Sequence, residues 1–289
     1  MTNARIRLGV ITEVHIVPPG TPEGVWHNPF LFDQAEELFS QAVQRCMELQ
    51  VDAIAILGDL THFADPDSFA KVRRVLEPVD LPVYVLPGNH DLDTSDRPLA
   101  AFQHALDLPH VTIAPRTLAL TPEIDLTLIG LEPGGADSGY AAVRSRSVTG
   151  NHARLTVALT HFPAYAMAEL LADAGLKHAG DLVNRAPLLE AIAGIPGPVL
   201  IVNGHLHVHA TIADGRLLQL SVAALIEPPH DVSLLSIGFD DDGNPWVTRQ
   251  ASGLFETPGV SLPVLSDREE CWQFEESSWR LHVVPGVSV

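Results

Sequence analysis

Five short polar clusters, each of which follows an apolar run, contain the residue types that bind metal ions. The clusters are Glu13-Val14-His15, Gly58-Asp59, Gly88-Asn89-His90-Asp91, His161, and Gly204-His205-Leu206-His207. Carboxylate, amide and imidazole groups are common ligands of divalent transition metals. Taken together, the clusters supply enough ligands for two closely spaced ions. The sequence therefore predicts a dinuclear metal site and, as the leading function, a metal-dependent hydrolase.

Two of the clusters contain candidate ligands that are two residues apart. On a β-strand, residues i and i+2 point to the same face. Glu13 with His15, and His205 with His207, are therefore predicted to act as chelating pairs. His209 continues the second pair, but it would lie about 6.5 Å, or two strand steps, beyond the last ligand. We therefore expect a packed histidine at position 209, with a substrate contact as the alternative.

The apolar runs before the clusters predict the elements that position them. Runs without polar alternation are typical of strands buried on both faces. They are Leu8-Gly9-Val10-Ile11, Ile54-Ala55-Ile56-Leu57, Val83-Tyr84-Val85-Leu86 and Pro198-Val199-Leu200-Ile201-Val202. Open sheets of such strands bind ligands beyond the carboxyl ends of the strands. The clusters begin at these ends.

Helical periodicity between the runs predicts a βαβαβ beginning and a parallel sheet. Helices are predicted over residues 31–49, 66–76, 98–106, 164–174 and 185–193. Further strands are predicted over residues 111–114, 126–131, 217–223, 232–239 and 246–249. The acidic turn at 240–244 is predicted to join the last two strands as a hairpin.

The order of the clusters resembles the calcineurin-like metallophosphoesterase family, whose motifs are D-x-H, G-D, G-N-H-D/E, a lone His and G-H-x-H. Four of the five clusters match as written, and the first has Glu13 where the family has Asp. The matching span covers roughly the first two thirds of the chain. This resemblance implies an α/β fold, a two-sheet αββα sandwich with mixed sheets flanked by helices.

By position, the resemblance also implies two divalent or trivalent metal ions, which would be manganese, iron, zinc or cobalt. One ion would bind Glu13, His15, Asp59 and His207, and the other would bind Asp59, Asn89, His161 and His205. His90 would contact the phosphate or the leaving oxygen, oriented by Asp91. Metal ions lower the pKa of bound water, so a hydroxide could attack phosphorus at neutral pH. Histidine as a residue type titrates near neutral pH, so by this resemblance His90 would donate a proton to the leaving alkoxide.

Glu13 is one methylene longer than the family's Asp, which displaces its carboxylate. We predict that Glu13 still coordinates, because Glu is an ordinary ligand for these ions and His15 is retained beside it. The alternative is a Glu13 outside the ligand shell, with one tightly and one loosely bound ion. A non-catalytic metal-binding scaffold is a further alternative, although retention of His90 argues against it.

The G-H-x-H motif and the moderate insertion resemble the branch that includes cyclic-nucleotide phosphodiesterases and glycerophosphodiesterases. This implies hydrolysis of a small phosphodiester, with a phosphomonoesterase as the alternative. Arg144 and Arg146 lie between the third and fourth clusters. They could contact the phosphate, but exposed salt bridges are equally expected.

Charge and cysteine content narrow the functional class. The chain has 289 residues, with 36 acidic and 17 basic side chains and a formal net charge of −19. A nucleic-acid surface would be basic, so we expect a small anionic phosphoester substrate and no nucleic-acid partner. Cys46 and Cys271 lack a C-x-x-C spacing and predict neither a disulfide framework nor a thiolate site.

No apolar stretch approaches the ~20 residues of a membrane span, so a cytoplasmic location without membrane association is expected.

We predict a metallophosphoesterase domain over residues 1–252 and a C-terminal extension over residues 253–289. The extension begins Pro-rich and then carries Trp272, Phe274 and Trp279 among charged residues. Aromatic side chains of this size must pack on something, either the same domain or a partner subunit. The sequence therefore leaves a homodimer open.

Overall fold

The computed structural model describes residues 5–92, 98–133, 140–143, 153–178, 180, 182, 185–255 and 265–282. Arg144 and Arg146 lie outside these ranges. No helix among the described residues is both long and apolar enough to cross a bilayer.

The described chain alternates strands and helices at first and is rich in strands toward its C-terminus. The strands are β1 (Ile6–Ile11), β2 (Ala53–Ile56), β3 (Val83–Val85), β4 (Val111–Ile113), β5 (Arg116–Thr121), β6 (Ile124–Leu128), β7 (Gly130–Pro133), β8 (Tyr140–Val143), β9 (Leu155–Thr160), β10 (Val199–Asn203), β11 (Ala210–Asp214), β12 (Leu217–Ser221), β13 (Asp231–Phe239), β14 (Pro245–Gly253), β15 (Glu269–Glu275) and β16 (Ser278–His282). The helices are α1 (Ala35–Glu48), α2 (Pro66–Leu76), α3 (Pro98–Ala105), α4 (Ala168–Asp173) and α5 (Ala186–Ala193), and a 3-10 turn at Phe32–Gln34 precedes α1.

Two mixed sheets form the centre of the protein. The larger sheet has the order β16-β15-β14-β13-β1-β2-β3-β4, and the smaller has the order β11-β12-β10-β9-β6-β5. Strands β1 to β4 are parallel, whereas β13 pairs antiparallel with β1 and begins a meander that continues to β16. In the smaller sheet, β6, β9, β10 and β12 are parallel and the edge strands are antiparallel.

The strands that carry the site are buried on both faces, as their apolar runs predicted. Leu8 and Val10 belong to the core between the sheets, together with Leu159 and Val202. Their neighbour Ile11 belongs instead to the core under the helices. Because side chains alternate along a strand, each strand contributes to both layers. The predicted two-sheet sandwich flanked by helices is confirmed.

Helices α1 and α2 cover the outer face of the larger sheet. Helix α1 buries an apolar stripe that includes Leu38, Phe39 and Cys46. A Cβ at position 9 would lie 2.6 Å from the Cys46 sulfur, so glycine at this position lets α1 pack close to β1. Helix α2 begins at the predicted residue, where Asp65 accepts a hydrogen bond from the Ser68 N–H at 2.9 Å and proline occupies the first turn.

Several elements differ from their predicted bounds, and two of these differences have a visible structural cause. The helix predicted over 164–174 begins only at Ala168, because the N–H groups of Ala164 and Tyr165 donate to Gln219 Oε1 at 2.8 and 2.9 Å. The strand predicted over 126–131 is divided between β6, in the smaller sheet, and β7, which pairs with β8 in a separate ribbon.

Residues 269–282 extend the larger sheet of the same chain. Strand β15 pairs with β14, and β16 pairs with β15. Trp279 is buried in the core between the sheets, and its indole N–H donates to the Arg216 carbonyl at 3.1 Å. Strand β14 continues past residue 252 to Gly253. The division into a domain over 1–252 and an extension over 253–289 stays a prediction, as does the homodimer.

Candidate metal centre

The predicted site residues lie in loops that follow the carboxyl ends of five strands. Glu13 and His15 follow β1, Asp59 follows β2, and Asn89, His90 and Asp91 follow β3. His161 follows β9, and His205 and His207 follow β10. The first two loops are joined through their backbones, since the N–H groups of Glu13 and His15 donate to the carbonyls of Gly58 and Asp59 at 3.2 and 2.8 Å. The fold therefore brings ligands from both sheets to one place.

The paired ligands converge by a different geometry from the one predicted. Strand β1 ends at Ile11 and β10 ends at Asn203, so neither pair lies on a strand. Left-handed backbone occurs instead at alternate residues, with φ of 56° at Glu13, 51° at His15, 66° at His205 and 61° at His207, and also at Asp59 with φ of 52°. Such a conformation costs a non-glycine residue about 1–3 kcal/mol and is concentrated at functional sites. Both pairs reach the same site, but Glu13 and His15 belong to one group of candidate ligands whereas His205 and His207 belong to different groups. The strand geometry predicted for the pairs is wrong, and chelation by each pair stays a prediction.

Glu13 lies at the centre of one spatial group of candidate ligands, together with His15 and His207. Its Oε2 atom lies 3.2 Å from His15 Nε2 and 3.1 Å from His207 Nε2. Its Oε1 atom accepts hydrogen bonds from the His205 N–H at 2.7 Å and from the Thr12 hydroxyl at 2.9 Å. The carboxylate is completely buried. The longer side chain thus reaches the cluster, with one oxygen held by the loops and the other facing two imidazoles.

Asp59 lies between this group of candidate ligands and a second group, which contains His161 and His205. Its Oδ2 atom is 3.7 Å from His15 Nε2 and 3.5 Å from His161 Nε2. His161 Nε2 is also 3.0 Å from Asn89 Oδ1 and 3.2 Å from His205 Nδ1. A single carboxylate oxygen therefore faces both groups of ligands, as a shared ligand would.

The donor atoms fit two metal ions. Candidate ligand atoms of Glu13, His15 and His207 lie within 4.8 Å of one another, and so do those of Asp59, His161 and His205. Each group combines a carboxylate oxygen with imidazole nitrogens, which suits divalent transition metals. Buried polar groups of this density are otherwise costly. We therefore take these two groups as the candidate metal centre.

Two glycines of the motifs are needed for the loops to approach one another. Gly58 has φ of 101°, and a Cβ there would lie 2.5 Å from the Gly88 nitrogen. A Cβ at Gly204 would lie 2.1 Å from the Thr12 hydroxyl oxygen and 2.8 Å from Glu13 Oε1. Any larger residue at these positions would displace the predicted ligands.

His90 and Asp91 make contacts other than those predicted. His90 Nδ1 donates to the His62 carbonyl at 3.0 Å. The Asp91 carboxylate accepts hydrogen bonds from the N–H groups of Thr61, Gly88 and Leu60 at 2.8, 3.0 and 3.1 Å. Among the described residues Asp91 therefore holds two of the site loops together, and orientation of the His90 ring by Asp91 stays a prediction. Burial, with a smaller contribution from Asp59, raises the pKa of Asp91 to about 7.

Two residues that contact the candidate ligands were not predicted from the sequence to belong to the site. Glu227 is completely buried, and its Oε1 atom lies 2.6 Å from His207 Nδ1. His62 Nδ1 lies 2.9 Å from His15 Nδ1. The proximity of His62 to Asp59 in the sequence was a usable signal. Glu227 had none, because it lies 20 residues after its partner with no motif spacing.

The remaining candidate histidine is a packed residue. His209 Nε2 lies 2.7 Å from Asp231 Oδ2, and its side chain is buried. It is absent from the described lining of the cavity at the site. This agrees with the expectation of a packed histidine and gives no support to the alternative of a substrate contact.

The protonation states of the site follow from burial and mutual proximity. Burial opposes the charged form of Glu13, but the nearby His161 and His207 hold the pKa of its carboxyl well below the usual value. Burial also holds the pKa of His205 well below its usual value, so this imidazole is neutral. His207 differs, since Glu13 and Glu227 outweigh the effect of burial and raise its pKa to about 10. Metal binding at His207 therefore has to release a proton.

A cavity of about 240 Å³ opens on the two groups of candidate metal ligands. It is lined by His15, Gly24, Val25, Trp26, Phe30, Asp59, His62, His90, His205 and His207. None of these described lining residues is a lysine or an arginine. The cavity therefore combines imidazole and aromatic surfaces with a single carboxylate.

Comparison with known proteins identifies related chains and folds. Two curated proteins, each described as a probable cyclic nucleotide phosphodiesterase, match short segments. The one from Ruthia magnifica subsp. Calyptogena magnifica is 34% identical over 53 residues, 18% of this chain and 23% of the relative. The one from Vesicomyosocius okutanii subsp. Calyptogena okutanii is 33% identical over 49 residues, 17% of this chain and 21% of the relative. The matches thus span less than a quarter of either relative.

Solved structures with a similar fold include a dimetal phosphatase from Danio rerio, with a TM-score of 0.64 and 13% identity over 87% of this chain and 97% of that one. A purple acid phosphatase from yellow lupin has a TM-score of 0.55 and 12% identity, covering 88% of this chain and 53% of that one. At these identities the likeness concerns the fold alone.

The model of the family described as calcineurin-like phosphoesterase matches residues 6–209. This range takes in more than half of the chain and includes all five clusters. The family and the two groups of carboxylate and imidazole ligands together indicate a site for two divalent metal ions. The chain therefore belongs to the calcineurin-like phosphoesterase family.

Proposed function

We propose that the protein hydrolyses a small phosphodiester, such as a cyclic nucleotide or a glycerophosphodiester. The lining of the cavity carries this proposal, because no lysine or arginine is among its described residues. A phosphomonoester bears about 1.5 to 2 negative charges at neutral pH, whereas a diester bears one. A site with metal ions as its main positive charge suits the diester better. The descriptions of the two curated relatives as probable cyclic nucleotide phosphodiesterases also support it.

The two groups of ligands support the assignment of metal-binding roles. We assign one ion to Glu13, His15, Asp59 and His207, and the other to Asp59, Asn89, His161 and His205. Bound ions of this kind activate water as a nucleophile and neutralise phosphoryl charge. The nitrogen and oxygen ligands accept manganese, iron, zinc or cobalt.

His90 is the proposed proton donor to the leaving oxygen. Its Nδ1–H group donates a hydrogen bond to the His62 carbonyl. Any proton transferred to the substrate must therefore leave from Nε2. His90 lines the cavity and is only partly buried, which gives the substrate access to it. Proton donation by a positioned histidine contributes about 10²- to 10⁴-fold to such reactions.

The mouth of the cavity offers an apolar surface to the organic part of the substrate. Val25, Trp26 and Phe30 line it, and Val25 is 64% exposed. Exposed apolar surface beside a polar site is typical of ligand-binding clefts.

The decisive experiment compares diester and monoester turnover by the same metal-loaded protein. The protein is stripped of metal, reconstituted with manganese, and assayed with bis(p-nitrophenyl) phosphate and p-nitrophenyl phosphate. We expect two ions per chain by elemental analysis and at least tenfold higher kcat/KM for the diester. Asp59→Asn should abolish turnover, whereas Asp80→Asn, at an exposed residue, should not.

Two results would contradict the proposal. Preference for the monoester would make the protein a phosphomonoesterase. No turnover of either ester with manganese, iron, zinc or cobalt would indicate a non-catalytic scaffold.

A further inference from the structure

His62 contacts both a proposed metal ligand and the proposed proton donor. Its Nδ1 atom lies 2.9 Å from His15 Nδ1. Its backbone carbonyl accepts the hydrogen bond from His90 Nδ1 at 3.0 Å. Its ring also stacks on that of His90, with centroids 4.4 Å apart and planes inclined by 18°. One residue therefore connects the two parts of the site.

The short contact between His15 and His62 sets the positions of the ring protons. His15 Nε2 faces Glu13 Oε2 at 3.2 Å and Asp59 Oδ2 at 3.7 Å, which is the side of the proposed ion. A metal-binding nitrogen carries no proton, so the proton of neutral His15 is on Nδ1. His62 Nδ1 must then be the acceptor, and the His62 proton is on Nε2.

The surroundings of His62 keep its ring in this position. Its backbone N–H donates to the Ile16 carbonyl at 3.0 Å. The rings of Phe63 and Phe32 contact it, with centroids 4.6 and 5.0 Å away.

We propose that His62 is a positioning residue, whose side chain fixes the tautomer of His15 and whose carbonyl directs His90. Metal-binding histidines usually donate their second N–H to a carboxylate, a carbonyl or water, and the loss of that partner weakens metal binding about 10- to 100-fold. In this chain an imidazole takes the place of the usual acceptor. The inference rests on the proposed function, because it assigns His15 to a metal ion.

A second arrangement uses the same atoms and has to be distinguished. Ligand atoms of His15, His62 and His90 lie within 4.8 Å of one another and could hold an additional ion. His15 would then have to bind metal through both ring nitrogens, as an imidazolate. The hydrogen-bonded arrangement needs no such deprotonation, and we therefore prefer it.

The first test measures metal binding by full-length variants. His62→Leu removes the acceptor and keeps bulk, and His62→Asn keeps an acceptor. His104→Leu, at an exposed position of α3, is the matched control. Affinity for manganese is measured by competition with a chromogenic chelator. We expect one of the two ions to bind about 10- to 100-fold more weakly in His62→Leu, most of the loss to be recovered in His62→Asn, and no change in His104→Leu.

The second test separates the side chain of His62 from its carbonyl. The carbonyl contact to His90 survives substitution, so saturating manganese should return kcat of His62→Leu toward that of the wild type. It should not rescue His90→Ala. Turnover of bis(p-nitrophenyl) phosphate at increasing manganese concentration measures both.

A third test needs no variant and covers the case in which His62→Leu does not fold. Long-range ¹H–¹⁵N spectra of the zinc-loaded wild type should show His15 protonated at Nδ1 and His62 at Nε2. The opposite tautomers would overturn the inference. Wild-type metal affinity in His62→Leu, a defect of equal size in His62→Asn, or a third bound ion that His62→Leu loses would overturn it as well. A wild type that binds no metal and has no turnover would instead refute the proposed function.

Discussion

Shortening Glu13 to the family's aspartate is expected to damage this site. In the structure, the Glu13 carboxylate is held by the His205 N–H at 2.7 Å and the Thr12 hydroxyl at 2.9 Å, while its other oxygen faces His15 and His207. Removal of one methylene retracts the carboxylate by about 1.5 Å, the length of one carbon–carbon bond. Both hydrogen bonds would then exceed the usual range.

The magnitude follows from the lost contacts. A hydrogen bond to a charged group contributes about 1.5–3 kcal/mol, and a buried methylene contributes about 0.8 kcal/mol. Aspartate tolerates left-handed backbone better than glutamate, and movement of the loops recovers part of the loss. We expect Glu13→Asp to lower the free energy of unfolding of the metal-free protein by about 3 kcal/mol, within the range of buried polar substitutions. Affinity for the adjacent ion should fall at least tenfold.

Urea unfolding of the metal-free protein, followed by circular dichroism, measures the stability difference. Chelator competition measures the metal affinity. Glu77→Asp, at an exposed residue, is the matched control and should behave as the wild type. A Glu13→Asp variant with unchanged unfolding free energy and unchanged metal affinity would refute the reasoning, since the contacts of Glu13 would then contribute nothing.

Three further predictions concern single residues. Glu227→Gln removes the charge beside His207 and should weaken metal binding about 10- to 100-fold in chelator competition; unchanged affinity would mean that His207 needs no such partner. His90→Ala should lower kcat by about 10²- to 10⁴-fold with both ions still present by elemental analysis, and loss of an ion would argue against its role as proton donor. Burial raises the pKa of Cys46 to about 12, so at pH 8 this thiol is protonated and should resist a thiol reagent until the protein unfolds; rapid labelling in the native protein would contradict its burial on the inner face of α1.

The elements with a strong local signal were predicted well. Helix α2 has the predicted bounds, because a proline in its first turn and the Asp65 cap define its start within a few residues of sequence. The helix predicted from residue 164 begins later because of Gln219, which lies 55 residues away from Ala164 along the chain. Periodicity within a short window contains no information about such a partner.

The convergence of the ligands illustrates the same limit. The i, i+2 spacing of Glu13 with His15 suggested a strand, whereas the structure places both residues in left-handed backbone beyond the strand. Contacts between this loop and the backbone of Gly58 and Asp59 stabilise that conformation. They depend on how two loops pack and are not encoded by the spacing.

The sequence by itself determined which chemical groups were available and in what order, because carboxylate, amide and imidazole are properties of single residues and the apolar runs before them are local. Only the tertiary structure decided which atoms face one another. Glu13 reaches His205 across 192 residues of sequence, and Glu227 reaches His207 from a loop without a motif. His62 turns its ring to His15 and its carbonyl to His90. Distances and hydrogen-bond directions depend on the packing of two sheets and their loops, and no local pattern specifies that packing.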